Sequence, residues 1–293
     1  MKYEASILAV ASSSDEGNPI FLSKSISNNL PIRKWSPLIS SEYKKSDGIC
    51  KSCILGNYLY VFSIDSKKLT YCLYDGNNWS SWHHIEGLPN EKYSIIEAVA
   101  LHGEIHLFCT TDNARLCITK YDGKSWRENS ISTKIPPLTS AINSSVTVES
   151  GEVEIFYSFG GKLYQLRSSE KYAESSYIFD SDGQTINCLK ISASFSPPLQ
   201  ATILACDQSI YILPKKGTAY RLSDEEFLGG TIAASPILQK YGNDSVAVFY
   251  SGDGYGIWEY LILKGKIVRS VQESPNFNSN IPQLHFAWVD LRS

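Results

Sequence analysis

The sequence YDGNNW at residues 74–79 returns as YDGKSW at residues 121–126, and the two copies lie 47 residues apart. An alternating apolar run precedes each copy, with Phe62 in the first and Phe108 in the second. The run returns three more times, as EVEIFYSF, QATILACD and SVAVFYSG, around Phe156, Leu204 and Phe249. A period near 48 residues with about four strand-like segments per repeat is typical of a β-propeller blade.

The repeat count predicts the architecture of the whole chain. Dividing 293 residues by this period gives about six blades, although only five contain the clear second strand. SILAVASS near the start can act as that strand in the remaining blade, and QLHFAWVDL at residues 283–291 has no blade of its own. We therefore predict an all-β, six-bladed propeller of four-stranded antiparallel blades, closed by the C-terminal strand pairing into the N-terminal blade. The predicted single domain, 1–293, has a composite blade (1–40 plus 283–293) and blades at approximately 48–92, 93–138, 139–182, 185–229 and 230–275.

Composition and charge exclude several classes of partner. The net charge is −3 and the basic residues are scattered, so we expect no nucleic-acid partner. The apolar stretch near residue 8 is too short for a signal peptide or a membrane span, so we expect a cytoplasmic protein without membrane contact. Seven cysteines in strand-like runs predict free, buried thiols. No zinc, nucleotide or hydrolase motif occurs, so no metal and no cofactor is expected.

The pattern of apolar strand, polar hairpin and Y-D-G-x-x-W resembles the six-bladed fungal fucose-specific lectins over nearly the whole chain. The resemblance implies sugar sites between blades, each with an Arg on the second strand, a Glu on the third and a nearby aromatic residue. The Arg places fall on Leu8, Tyr60, His106, Glu154, Thr202 and Ala247. The Glu places fall on Leu22, Tyr71, Ile118, Gln165, Ile212 and Glu259. Because the charged pair is lost in every blade, we expect no ordinary fucose binding at repeated sites.

The chain is also similar to a group of fungal proteins with this propeller, the hetero-Diels–Alderases of tropolone sesquiterpenoid biosynthesis. That resemblance implies apolar substrates of the polyene and quinone-methide type and a cyclisation that depends on holding two reactants together. The expected catalytic residues, which would donate or accept protons, are His106, Tyr60, Tyr71 and Glu259. The expected substrate-binding aromatic residues are Trp258, Trp288, Trp79 and Trp126, although packing between blades is the alternative for Trp79 and Trp126.

Three functions therefore stay open at the level of sequence. The first is a cyclase of fungal secondary metabolism, the second a lectin or other small-ligand binder, and the third a propeller that binds other proteins. The oligomeric state is not fixed by the sequence, and a homodimer is one alternative. We expect the functional pocket to be a single apolar cavity edged by a few hydrogen-bond donors instead of six equivalent sites, because the repeats have diverged most at the former sugar positions.

Overall fold

The computed structural model describes the chain in segments. These are residues 5–12, 20–24, 39–40, 47–65, 68–89, 91–111, 116–130, 144–149, 152–169, 172–188, 191–196, 200–206, 209–222, 230–234, 245–252, 257–263, 266–273 and 283–290. Side-chain surroundings are described only within residues 51–222.

The regular elements of the described segments are strands, arranged in six four-stranded antiparallel sheets that we call blades 1 to 6. Blade 1 contains β1 (Ala5–Ser12), β2 (Ile20–Lys24), β3 (Ile39–Ser40) and β24 (Gln283–Asp290). Blade 2 contains β4 (Asp47–Leu55), β5 (Tyr58–Asp65), β6 (Lys68–Tyr74) and β7 (His83–His84), and blade 3 contains β8 (Tyr93–Leu101), β9 (Glu104–Thr111), β10 (Leu116–Tyr121) and β11 (Trp126–Ser130).

The other three blades follow in the same order along the chain. Blade 4 contains β12 (Ser144–Glu149), β13 (Glu152–Phe159), β14 (Lys162–Ser169) and β15 (Tyr172–Tyr177). Blade 5 contains β16 (Ile191–Ser196), β17 (Ala201–Cys206), β18 (Ser209–Pro214) and β19 (Tyr220–Arg221). Blade 6 contains β20 (Gly230–Ala234), β21 (Ser245–Gly252), β22 (Ile257–Leu263) and β23 (Lys266–Glu273).

The blades form a closed ring. In each blade one edge strand faces the centre of the ring, and in blade 1 this innermost strand is β24. The innermost strands lie side by side in the order β24, β4, β8, β12, β16, β20 and back to β24. Strand β24 pairs with β1 from Ala5↔Asp290 to Ser12↔Gln283, so both ends of the chain contribute to blade 1. The predicted all-β propeller with closure by the C-terminal strand is therefore confirmed.

The repeated YDG sequence forms the same tight turn in blades 2 and 3. Asp75 and Asp122 each accept, through Oδ1, hydrogen bonds from the N–H groups two and three residues further along the chain, at 2.7–2.9 Å. These bonds lower the pKa of both carboxyl groups. Gly76 and Gly123 follow with φ values of 99° and 88°, a backbone conformation that only glycine adopts without strain.

The core lies between blades. Along the strand next to the innermost one, successive side chains face the preceding and the following blade in turn. Phe62 of blade 2 belongs to one buried cluster with Ile105 of blade 3, and Phe108 belongs to another with Ile155 of blade 4. The predicted free, buried thiols are confirmed for Cys53, Cys72, Cys109, Cys117, Cys188 and Cys206, and the side chain of Cys50 lies outside the described set.

Candidate functional site

Two of the predicted catalytic residues, Tyr60 and Tyr71, come together in the space between blades 2 and 3. Their ring centroids are 6.3 Å apart, and Tyr121 of blade 3 lies 6.1 Å from Tyr60 and 6.4 Å from Tyr71. Trp126 of blade 3 packs 5.6 Å from Tyr71 and 5.9 Å, edge to face, from Phe62. We call this packed group the aromatic cluster: Tyr60, Phe62, Tyr71, Tyr121 and Trp126.

The Tyr60 and Tyr121 phenols remain protonated at neutral pH. Burial, together with the neighbouring Tyr121 and Tyr71 hydroxyls, raises the pKa of Tyr60 to about 12. Burial likewise raises the pKa of Tyr121. These hydroxyls can therefore donate hydrogen bonds over the whole physiological range.

His106, another predicted catalytic residue, lies on the far side of blade 3 from the aromatic cluster. Ile105 and Leu107 pack with Tyr60 in one cluster, so strand alternation directs His106 to the opposite face. Its Nε2 lies 3.6 Å from Glu104 Oε2, and burial lowers its pKa below the usual 6.5. The His106 imidazole is thus buried and neutral, and it is not positioned beside the phenols.

The two repeated tryptophans have different surroundings. Trp126 packs across the blade boundary, against Phe62 and Tyr71, as the packing alternative predicted. The Trp79 ring packs against Tyr74 of its own blade, with the ring centroids 5.0 Å apart and the ring planes tilted by 43°. The indole Nε1 atoms of both are buried and have no hydrogen-bond partner among the described residues. Both residues therefore pack against aromatic neighbours, and no described residue accepts a hydrogen bond from either indole.

The remaining predicted site residues occupy other blades. Glu259 lies in β22 of blade 6, opposite Phe249 and Val271, with Trp258 beside it in the sequence. Trp288 lies in β24, opposite Ile7. The surroundings of the Trp258, Glu259 and Trp288 side chains lie outside the described set, so their predicted roles stay predictions.

A small cleft between blades 4 and 5 is polar. It is open to solvent, and its enclosed part is about the size of one water molecule. We call it the polar cleft, and its lining residues are Glu154, Gln165, Arg167, Ala201, Thr202, Leu213, Pro214 and Lys215. Glu154 and Gln165 are the residues that the sequence placed at the former Arg and Glu positions of blade 4.

The polar cleft combines an ion pair with a buried amide. Glu154 is buried and its Oε1 accepts a hydrogen bond at 3.1 Å from Nε of the exposed Arg167. Gln165 is only 7% exposed, and its Nε2 donor is buried without a hydrogen-bond partner in the described segments. An unpaired buried donor is unfavourable by about 1–3 kcal/mol, so a ligand acceptor at this position would be stabilised.

The strand register corrects the assignment of Thr202. Three register pairs occupy the same place in their hairpins, because the paired residues are separated by the same distance along the chain in each. These pairs are Tyr60↔Leu73, Glu154↔Arg167 and Ala201↔Pro214. Ala201 therefore stands at the former Arg place of blade 5, and the assignment of Thr202 to that place is wrong. Thr202 instead faces back towards blade 4, on the side of Leu204 and Leu213, which pack with Phe156. The spacing of the hairpin ends was the sequence signal for this shift.

Within the described residues, no group of three or more His, Cys, Asp and Glu side chains is placed to bind a metal ion. The part of the chain that the structure describes has no helix of the length and apolarity needed to cross a membrane.

Comparison with solved structures agrees with this architecture. The Aleuria aurantia lectin, a six-bladed β-propeller with fucose recognition, superposes with a TM-score of 0.56 at 14% identity, covering 95% of this chain and 97% of the lectin. The SapL1 lectin, solved with α-methyl fucoside, gives 0.57 at 12% identity over 94% and 98% of the two chains. AofleA from Arthrobotrys oligospora gives 0.56 at 9% identity over 98% and 90%. No family model and no curated protein matches the chain.

These similarities define the class of the fold: this chain is a β-propeller with four-stranded antiparallel blades, similar in fold to these lectins. At such low sequence identity the similarity shows the fold alone.

Proposed function

We propose that this propeller binds a small polar ligand in the polar cleft between blades 4 and 5. The observation that carries the proposal is Gln165, whose buried Nε2 donor has no partner in the described residues although it lines an open cleft. Buried polar groups in native proteins are almost always hydrogen-bonded, so an unpaired one beside solvent indicates a place for a ligand or an ordered water.

The cleft offers directional contacts for such a ligand. Arg167 is held in place through Nε by Glu154, and a guanidinium group carries five N–H donors, of which this bond uses one. The hydroxyl of Thr202, a residue only 3% exposed, can donate and accept. The enclosed part of the cleft is about the size of one water molecule, so a ligand would place a single polar group there and lie across the cleft mouth.

The experiment compares two cleft variants with a matched control. Gln165→Leu and Thr202→Val remove polar atoms from the cleft, whereas Thr119→Val removes a buried hydroxyl, also unpartnered in the described residues, outside the cleft lining. A panel of neutral sugars, hydroxy acids and apolar polyenes is screened by thermal shift, and binding ligands are titrated by calorimetry. We expect the cleft variants to weaken binding by about 5–150-fold and the control to leave it unchanged. Equal binding by Gln165→Leu and by the unsubstituted protein would overturn the proposal.

A second function, catalysis of a hetero-Diels–Alder cyclisation, is favoured by the convergence of Tyr60, Tyr71, Tyr121 and Trp126. In this reaction the oxygen heterodiene of a quinone methide adds to one double bond of a polyene, forming one C–O and one C–C bond without an oxidant. The Tyr60 phenol, protonated at neutral pH, could donate a hydrogen bond to the developing oxyanion. His106 is directed to the other face of blade 3, so Tyr60 and Tyr71 would carry this chemistry.

The test of the enzyme function uses the purified protein with a polyene and a quinone-methide precursor. We expect Tyr60→Phe and Tyr71→Phe to lower the rate and shift the product ratio towards that of the reaction in buffer. Tyr58→Phe is the control, because Tyr58 lies in the same strand as Tyr60 but is 47% exposed. Identical products and rates with and without protein would exclude this function.

We also propose that the protein works in the cytoplasm. Six buried free thiols fit a reducing compartment, where disulfides are rare. Cell fractionation checks the location, and recovery of the protein from the secreted fraction would contradict it.

A further inference from the structure

We infer that Tyr164 and Tyr177 of blade 4 form a modification site, at which a peroxidase-type oxidant joins the two phenol rings as dityrosine. The pair lies apart from the polar cleft. Tyr164 packs against a cluster that contains Phe108 of blade 3, whereas the polar cleft lies between blades 4 and 5. Three observations carry the inference: the geometry of the pair, its access to solvent, and the burial of the thiols.

The first observation is that the two tyrosines lie directly opposite each other on neighbouring strands. Tyr164 on β14 pairs with Tyr177 on β15, so the two side chains project from the same face of blade 4. Their ring centroids are 4.4 Å apart, with the ring planes tilted by 34°. The Tyr164 hydroxyl donates a hydrogen bond to the Tyr177 hydroxyl, and mainly this bond raises the pKa of Tyr164 to about 12. The ring carbons beside the two oxygens therefore need only a small movement to form a bond.

The second observation is that the pair can be reached from solvent through Tyr177. The Tyr177 side chain is 43% exposed, whereas Tyr157, which stacks on Tyr164 at 5.2 Å, is only 1% exposed. Strand β15 is also the edge strand of blade 4, so it can shift more easily than a strand paired on both sides. An oxidant would therefore react first with Tyr177, and Tyr164 is the phenol in contact with the radical that forms.

The third observation is that the described thiols, which would compete for the oxidant, are buried. Six cysteines are free and buried, and burial raises the pKa of the Cys53 and Cys109 thiols. Thiols react with oxidants mainly as exposed thiolates, so these groups are poor competitors. The sequence has a single methionine against 18 tyrosines. Oxidation is therefore directed to an exposed phenol such as Tyr177.

The coupling step balances with hydrogen peroxide as the oxidant and a haem peroxidase as its catalyst. Each phenol loses one electron and one proton, and the peroxide takes up both electrons and both protons to become two water molecules. The two phenoxyl radicals then form one C–C bond between the ring carbons next to the oxygens. The hydrogens on those carbons move to the oxygens and restore both hydroxyl groups. The product ties the edge strand β15 covalently to β14.

The experiment treats the purified full chain, at low concentration, with hydrogen peroxide and a haem peroxidase, and isolates the monomer by gel filtration. Trypsin cleaves after Lys and Arg, so Tyr164 falls in peptide 163–167 and Tyr177 in peptide 172–190. We expect mass spectrometry to find these two peptides linked, with two hydrogen atoms fewer than the separate peptides. Tyr164→Phe and Tyr177→Phe keep both rings and should abolish the link. Tyr58→Phe, which removes a phenol that is 47% exposed in blade 2, should leave its yield unchanged.

The outcomes decide the inference without reference to ligand binding. An oxidised monomer without the linked peptides overturns it, and so does a link that forms only between two molecules. Persistence of the link in Tyr177→Phe would assign the coupling to Tyr172, which shares peptide 172–190, and would also overturn the inference. Urea unfolding checks that the variants are folded, and the linked peptides of the unsubstituted protein give the result even where a variant is not.

Discussion

Removal of residues 283–293 tests how the ring is closed. In the intact protein, β24 pairs with β1 over eight residue pairs and also lies beside β4 and β20. The truncation leaves β1 as an unpaired edge and opens the ring between blades 6 and 2. We expect the truncated chain to lose cooperative unfolding, because closure joins the first and last blades.

The magnitude follows from the strand pairing. An antiparallel ladder of eight pairs contains about eight backbone hydrogen bonds, since alternate pairs exchange two each. At a net contribution of about 0.5–1.5 kcal/mol per bond, the ladder contributes roughly 4–12 kcal/mol. This range is comparable with the whole stability of a domain, about 5–15 kcal/mol.

The assay is urea unfolding followed by circular dichroism and intrinsic fluorescence. A circular permutant provides the control: residues 283–293 are moved to precede Met1, so that β24 and β1 are joined by the short segment formed from 291–293 and 1–4. Because Asp290 is paired with Ala5, this connection makes blade 1 a continuous meander. We expect the permutant to regain one cooperative transition. A truncated chain that unfolds at the same urea concentration as the intact chain would refute the closure mechanism.

Further predictions concern single side chains. Tyr93→Phe removes the hydroxyl that lies 2.7 Å from Glu128 Oε2, and we expect a loss of about 1.5–3 kcal/mol in urea unfolding; an unchanged midpoint would contradict this. Burial raises the pKa of Tyr60 to about 12 from an ordinary value of 10.0, so its stabilising effect is complete below pH 10 and is lost as the pH rises through about 12. The melting temperature above pH 10 should therefore fall less steeply in Tyr60→Phe, and parallel curves would count against the burial effect. Gly123→Ala places a Cβ in open space at a φ of 88°, so the expected loss of about 1–2 kcal/mol comes from the backbone alone; unaltered thermal unfolding would exclude the left-handed turn.

The fold was predictable because its signals are local and repeated. The YDG turns depend on Asp75 and Asp122 bonding to their own backbone and on a glycine at positive φ, and both requirements are visible in the sequence. Closure followed from counting: one blade lacked a strand, and residues 283–291 formed a strand with no blade.

The candidate site was only partly predictable. The spacing of the repeats located Glu154 and Gln165, but it identified them only as remnants of lost sugar sites. It did not indicate that Arg167 would pair with Glu154 across the hairpin. In blade 5 the assignment shifted by one residue because every residue of Ala201–Cys206 is buried. A strand buried on both faces shows no alternation from which its phase can be determined. The distance to the next hairpin turn would have given the correct phase for Thr202.

The junction of β1 with β24 also has a consequence for the time course of folding. Strand β1 is synthesised before the other described strands, yet its partner β24 is the last of them to be synthesised. Pairs such as Ala5↔Asp290 span nearly the whole chain, and contacts of such sequence separation form slowly. During synthesis β1 exposes an unpaired edge, as blades 2 to 6 form in turn. Completion of blade 1 is therefore the final step of folding, and this edge is the place where a nascent chain would bind a chaperone or pair with another copy.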